Sequence, residues 1–191
     1  MKLSTDLERF KRLHKKKFNQ TIHFSLRCNN YKFIENLYKF ILVKKNSFIF
    51  ESVEKGKVRG RYTIIGFNPD KIINIKNNKI IEDNFNRKKL IKQNILNYLN
   101  KLLKNFKVKS PKELPRMSSM LVGYFSYDII RLIEKIPNSC SDDINIPDIR
   151  LMRPKNLIIY DNFKSKIFFI ENIFEDQKIE DYQTEYNKIG N

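Results

Sequence analysis

The stretch Phe48–Gly66, "FIFESVEKGKVRGRYTIIG", decides how the rest of the chain is read. Both flanks are rich in Phe, Ile, Tyr and Val, which predicts two strands, over 47–53 and 61–67. The segment between them carries Gly56 and Gly60, so the two strands are expected to form a hairpin. Side chains alternate along a strand, so Phe48, Phe50 and Ser52 share one face and Ile49, Glu51 and Val53 the other. With the Phe face packed inward, Ser52 sits at the inner edge of an apolar pocket, and Arg61 opens the neighbouring strand. An acid (Glu51), a hydroxyl (Ser52) and a guanidinium (Arg61) around an aromatic-lined cavity suit a zwitterionic amino acid with an apolar side chain. The same residues also fit a plainer reading, in which a strand ends, polar groups meet water and glycines make a turn. Spacing alone favours that plainer reading.

Outward from this hairpin the periodicity alternates between helix and strand. Residues 5–17 predict a helix through Leu7, Phe10 and Leu13, and 21–26 a short strand. Apolar residues at 33, 34, 37, 38, 41 and 42 predict a helix over 31–43, with Asn30 as its N-cap. Asn68-Pro69-Asp70 has the chemistry of a turn. Residues 71–84 predict a hairpin about Asn77-Asn78, both tolerant of left-handed backbone. Leu90, Ile91, Ile95, Leu99, Leu102 and Leu103 predict one long helix over 87–106. Two prolines make 107–117 a loop. Residues 119–138 predict a buried strand continuing as a helix, and 139–154 a loop. "NLIIYDN" and "KIFFIENI" predict an antiparallel pair, and a last helix opens within 180–191. Mixed strands and helices with several hairpins give an α+β class, with largely antiparallel sheets and flanking helices. A helix that opens so near the end of the chain implies a fragment of a larger protein.

Composition excludes several functions. The 191 residues suit one domain or part of a larger protein, and 41% hydrophobic content supports a sizeable core. No apolar run approaches the length of a membrane span, and the first residues lack the apolar stretch of a secretory signal. Cys28 and Cys140 stand far apart with no histidine nearby, so no metal site is expected and free thiols in a reducing cytoplasm are the simple reading. His14 lies in a lysine run and His23 on a predicted strand, neither in a pattern that assigns a specific role. The net charge is +17, yet the lysines are spread along a chain that has no alanine. That pattern indicates genome composition acting on surface positions, and no nucleic-acid motif accompanies the charge.

Three stretches carry a resemblance: "FIFESVEKGKVRGRYTIIGFNPD", "LPRMSSMLVGYFSYDIIRLIEKIPN" and "DDINIPDIRLMRPKNLIIYDN". In this order, over roughly residues 5–190, the chain resembles the N-terminal region of the anthranilate synthase component I family, chorismate-utilising enzymes. The family often has glycines where this chain reads Ser118-Ser119. The resemblance implies that residues 1–191 are an N-terminal regulatory domain and that the C-terminal chorismate-binding domain is absent. It implies that Ser52, Glu51 and Arg61 contribute to a feedback site for L-tryptophan. It places no catalytic or metal-binding residue in this chain. The acid–base residues and the Mg2+ ligands belong to the C-terminal half, where chorismate and ammonia become anthranilate and pyruvate. A glutamine amidotransferase, component II, is the implied partner, and the cytoplasm the implied location. No membrane or specific nucleic-acid partner is expected. Tyr124, Tyr127, Asp128, Arg131 and Glu134 belong to a family motif, expected to be structural, with Arg131 and Glu134 paired on a helix. Asp142-Asp143 is expected to be solvated charge. Aminodeoxychorismate synthase component I, isochorismate synthase and a stand-alone amino-acid-binding module remain as alternatives.

Overall fold

Period-two alternation places the apolar side chains of one set of strands on two opposite faces, and helices or loops cover both. The computed structural model describes residues 3–51, 60–106, 108, 111–137 and 141–189. These form two compact units, the first from residues 1–69, 106–120 and 154–191, the second from 70–105 and 121–153.

The first unit opens with α1 (Leu7–Lys15) and β1 (Gln20–Arg27), followed by α2 (Tyr31–Leu42) and β2 (Phe48–Phe50). Asp6 caps α1 by accepting the Arg9 N–H at 2.7 Å, and Asn30 caps α2 by accepting the Lys32 N–H at 3.0 Å, as its sequence predicts. β1 pairs antiparallel along its whole length with β8 (Lys166–Ile173), from Gln20 opposite Ile173 to Arg27 opposite Lys166. β8 in turn pairs antiparallel with the Asn156–Asp161 part of β7 (Ile149–Asp161). β2 pairs antiparallel with Ile64–Gly66 of β3 (Tyr62–Lys76).

Alternation then sorts the core. Ile49, Ile65, Ile158 and Ile167 point to the face covered by Ile34 and Ile41 of α2. Their chain neighbours Phe48, Ile64, Leu157, Ile159 and Phe168 point to the other face, covered by Leu114, Met117 and Met120. A separate cluster joins Phe10 of α1 to Ile22, Ile173 and Ile189, with Tyr182 and Tyr186 of α4 (Tyr182–Lys188) against it.

In the second unit, β3 turns into β4 (Lys79–Asp83) through Asn77 and Asn78, at φ 49° and 61°. This is the expected two-residue hairpin in left-handed backbone. β5 (Lys88–Ile91) pairs with β4, and β6 (Val122–Phe125) pairs with Ile149–Met152 of β7, both antiparallel. The helix α3 (Ile95–Asn105) lays Ile95 and Tyr98 on Ile73, Ile75, Ile80, Ile149 and Leu151. The Tyr98 hydroxyl donates to Glu82 at 2.7 Å, and Arg153 forks onto Asp70 at 2.8 and 2.6 Å.

Four local expectations are corrected. Asn68-Pro69-Asp70 is not a turn; β3 runs straight through it. Asn68 adopts left-handed backbone at φ 47°, and its side-chain amide donates to the Asn156 side-chain oxygen at 3.2 Å. The helix predicted over 87–106 divides, because Lys88–Ile91 finds a sheet partner in β4 and Asn94 caps a new start through the Asn97 N–H at 3.1 Å. Leu90 is therefore exposed instead of lying on the helical face. The helix predicted after residue 125 is a six-residue 3-10 turn, Tyr127–Leu132. Finally, Ile149–Pro154 is strand, not loop, since Ile149 and Leu151 supply core side chains.

Candidate functional site

The acid, hydroxyl and guanidinium of the opening hairpin arrive differently in the structure. Glu51 follows β2 directly and is exposed. Ser52 lies outside the described residues, as do 53–59. Arg61 stands immediately before β3 and already has a carboxylate partner. Its Nε donates to Asp161 Oδ1 at 2.9 Å and its Nη2 to Oδ2 at 2.6 Å, a fork between flat, matching groups. Asp161, at the end of β7, is 2% exposed, and the Arg61 side chain is 23% exposed.

The turn after Asp161 encloses the same arginine. The Asn162 N–H and its side-chain amide both donate to the Arg61 carbonyl, at 2.8 and 3.1 Å. The backbone N–H groups of Phe163 and Lys164 donate to Asp161 Oδ1, each at 3.1 Å. The guanidinium carbon lies 4.9 Å from the Tyr62 ring centre and 5.6 Å from that of Phe163. Burial pushes the Asp161 carboxyl up, but the Arg61 fork and the two backbone donors outweigh it and hold the pKa below the usual value. The hydrogen bonds to Asp161 raise that of Arg61.

An aromatic wall stands on β2. The Phe48 and Phe50 rings lie 4.7 Å apart, tilted by 44°. Phe48, like Tyr62, Ile64, Met117 and Met120, packs against the buried cluster of Leu114, Leu157, Ile159, Phe168 and Ile170, while Phe50 is half exposed. Both strand faces are therefore engaged at Phe48 and Ile49, and the single inward Phe face expected from the sequence is a two-sided strand.

The motif of Tyr124, Tyr127, Asp128, Arg131 and Glu134 lies in the second unit, on β6 and the 3-10 turn. Arg131 does not pair with Glu134. Its Nε donates to Asp128 at 2.8 Å, and Nη1 to the carbonyls of Ile136 and Pro137 at 3.1 and 2.9 Å. A 3-10 turn aligns residues three apart, which brings Asp128 under Arg131, and the turn ends before Glu134. Beside it lies a cleft of about 520 Å³ that includes Ser126, Asp128, Arg131, Asp142 and Asp148. Asp142 is not merely solvated. Lys76 Nζ lies 2.6 Å from it and the Asn145 N–H donates to it at 2.9 Å, and these bonds, Lys76's first, lower its pKa.

The histidines are placed as packed core residues. His14 is buried with Nδ1 3.0 Å from the Tyr182 hydroxyl, and His23 is buried 3.8 Å from Glu113. Among the described residues no three of His, Cys, Asp and Glu come together as a metal site, and no helix is long and apolar enough to cross a membrane.

Sequence reasoning missed Asp161, which it took as a strand residue of "NLIIYDN". An ionisable group closing an apolar strand was the available signal, but its partner is 100 residues away. It also missed Lys155, which bridges Glu171 at 3.1 Å and Glu185 at 2.7 Å and ties α4 to the sheet.

The sequence pattern of the chorismate binding enzyme family matches residues 45–189. An anthranilate synthase component 1 from Acetivibrio thermocellus is 35% identical over 134 residues, covering 70% of this chain and 27% of that protein. One from Cereibacter sphaeroides is 30% identical over 168 residues, covering 85% and 34%. The chain thus spans about a quarter to a third of the length of these relatives. The crystal structure of anthranilate synthase component I from Streptococcus pneumoniae TIGR4 shares the fold. It superposes with a TM-score of 0.54 at 23% identity, over 81% of this chain and 33% of that one.

Proposed function

The chain belongs to the chorismate binding enzyme family, and we propose that it is the N-terminal, regulatory part of an anthranilate synthase component I. The observation that supports this reading is the family match over residues 45–189, with relatives named anthranilate synthase component 1 along the same region. In this reading residues 1–191 belong to an enzyme that makes anthranilate and pyruvate from chorismate and ammonia, in the cytoplasm. A glutamine amidotransferase component II supplies the ammonia. Mg2+ serves the chemistry of the whole enzyme. Among the described residues no three of His, Cys, Asp and Glu gather into a site that would hold it.

The part this chain plays is recognition of L-tryptophan as a feedback inhibitor. Ser52 and Glu51 take the ammonium group and Arg61 the carboxylate, while the aromatic residues of β2 flank the apolar side chain. Coupling to catalysis requires that the inhibitor bind one conformational state better than the other. A hydroxyl on an ammonium is a charge-assisted hydrogen bond of about 1.5–3 kcal/mol. Ser52→Ala in the full-length enzyme should therefore raise the tryptophan inhibition constant roughly tenfold to a hundredfold at unchanged turnover. Unchanged inhibition removes Ser52 from the site, and a parallel collapse of turnover assigns it a structural role.

A further inference from the structure

Arg61 is held in a way that leaves one specific edge to a ligand. A guanidinium carries five N–H donors in one plane. Asp161 occupies the edge formed by Nε and Nη2. Tyr62 and Phe163 lie near the guanidinium, and the Arg61 carbonyl is tied to Asn162. The remaining edge, formed by Nη1 and the second N–H of Nη2, has no partner among the described residues. The Arg61 side chain is 23% exposed, so part of it reaches solvent.

Asp161 cannot simply yield its place to an incoming acid. It is 2% exposed and is itself pinned by the Phe163 and Lys164 N–H groups. Expelling it would leave two backbone donors and a buried carboxylate to be satisfied elsewhere, which is costly. A second anion must take the open edge, and a flat carboxylate matches that edge as a second fork. We infer that Asp161 is a positioning residue, which holds Arg61 with its free edge preset for the carboxylate of a ligand. That the ligand is an amino acid rests on the function proposed above; the geometry of the open edge does not.

The test follows the Arg61 Nε–H resonance of the 191-residue chain by NMR during titration with acetate or acetamide. Acetate should shift it saturably and acetamide should not. In parallel, calorimetry compares L-tryptophan with L-tryptophanamide. Asp161→Asn keeps a side chain of the same size but turns one leg of the fork into donor facing donor. It should lower both the acetate response and the acid-over-amide preference at least about fivefold. In an Arg61→Lys background the same change should alter that preference no further, because Asp161 acts through Arg61. An unshifted wild-type resonance in acetate overturns the inference without recourse to any variant. So does an Asp161→Asn chain that keeps or gains the preference, or one that loses acid and amide binding equally. A normal acetate response with no binding of tryptophan leaves the positioning role standing and overturns the amino-acid reading.

Discussion

Gly123→Ala should damage the second unit far more than Gly66→Ala damages the first, although both glycines sit in strands. A Cβ on Gly123 would lie 1.8 Å from the Arg150 carbonyl oxygen, 2.8 Å from its carbon and 2.9 Å from Leu151 Cα. Comfortable heavy-atom separations are about 3.5–4.0 Å, so β6 would have to move away from β7 by roughly an ångström and a half. That displacement exceeds the reach of ladder hydrogen bonds formed near 2.9 Å, and the four pairs from Val122–Met152 to Phe125–Ile149 would part. All three obstacles are backbone and cannot rotate aside. The cost belongs at the upper end of overpacking penalties, about 3 kcal/mol. For a chain of this size that is a fall of roughly 6–12 °C in melting temperature. At Gly66 the obstacles are Phe48 ring carbons at 2.1 and 2.4 Å. A ring can swing off its rotamer for about 1 kcal/mol. Thermal unfolding followed by circular dichroism ranks the two variants, and amide exchange at 122–125 locates the damage. A Gly123→Ala chain that melts with the wild type, or above Gly66→Ala, refutes the close-approach argument.

Three further outcomes are expected. Burial, with Lys17 beside it, holds His14 below the usual histidine value, and burial does the same to His23 against the opposing pull of Glu113. The unfolded chain then binds more protons, so stability is full above about pH 6.5 and is lost as pH falls through the lowered values. Urea midpoints should drop between about pH 7.5 and about pH 5.5 in the wild type and drop less in a His14→Asn, His23→Asn chain; equal slopes would contradict this. Asn94→Ala removes the acceptor that meets the Asn97 N–H and should cost about 1 kcal/mol of denaturant stability, an expectation that an unmoved midpoint would end. On the proposed function, the 191-residue chain should form no anthranilate from chorismate, ammonia and Mg2+, and fluorescence of anthranilate above an enzyme-free control would count against it.

Much of the fold was legible because its signals are local. Asn77-Asn78 announces a two-residue hairpin, since few other pairs accept left-handed backbone cheaply. Asn30 marks a helix start by accepting the N–H two residues on. The stripe from Ile34 to Ile41 marks the buried face of α2. The hairpin of β2 and β3 and the antiparallel pair of β7 and β8 follow from β-rich runs bounded by turns. The order of the E-S and L-V-G-Y motifs was legible in the same way and pointed to the family that the comparisons support.

What the chain's local chemistry could not settle was any choice between two partners distant in sequence. Leu90 and Ile91 fit a helical stripe as well as a strand, and only the presence of β4 alongside resolved them as β5. Asn68-Pro69-Asp70 has every property of a turn, yet it lies within β3, where Asn68 bonds Asn156, 88 residues away. Arg61 read as a cation awaiting a ligand because its resident carboxylate, Asp161, adjoins it only after β7 has been laid beside β3. The residue types of the candidate site were thus determined by the sequence, and which edge of Arg61 stays open by the tertiary structure. Hydrogen-bond and ion-pair energies fall off within a few ångströms, so a side chain's partner is decided by proximity in space, which sequence spacing does not record.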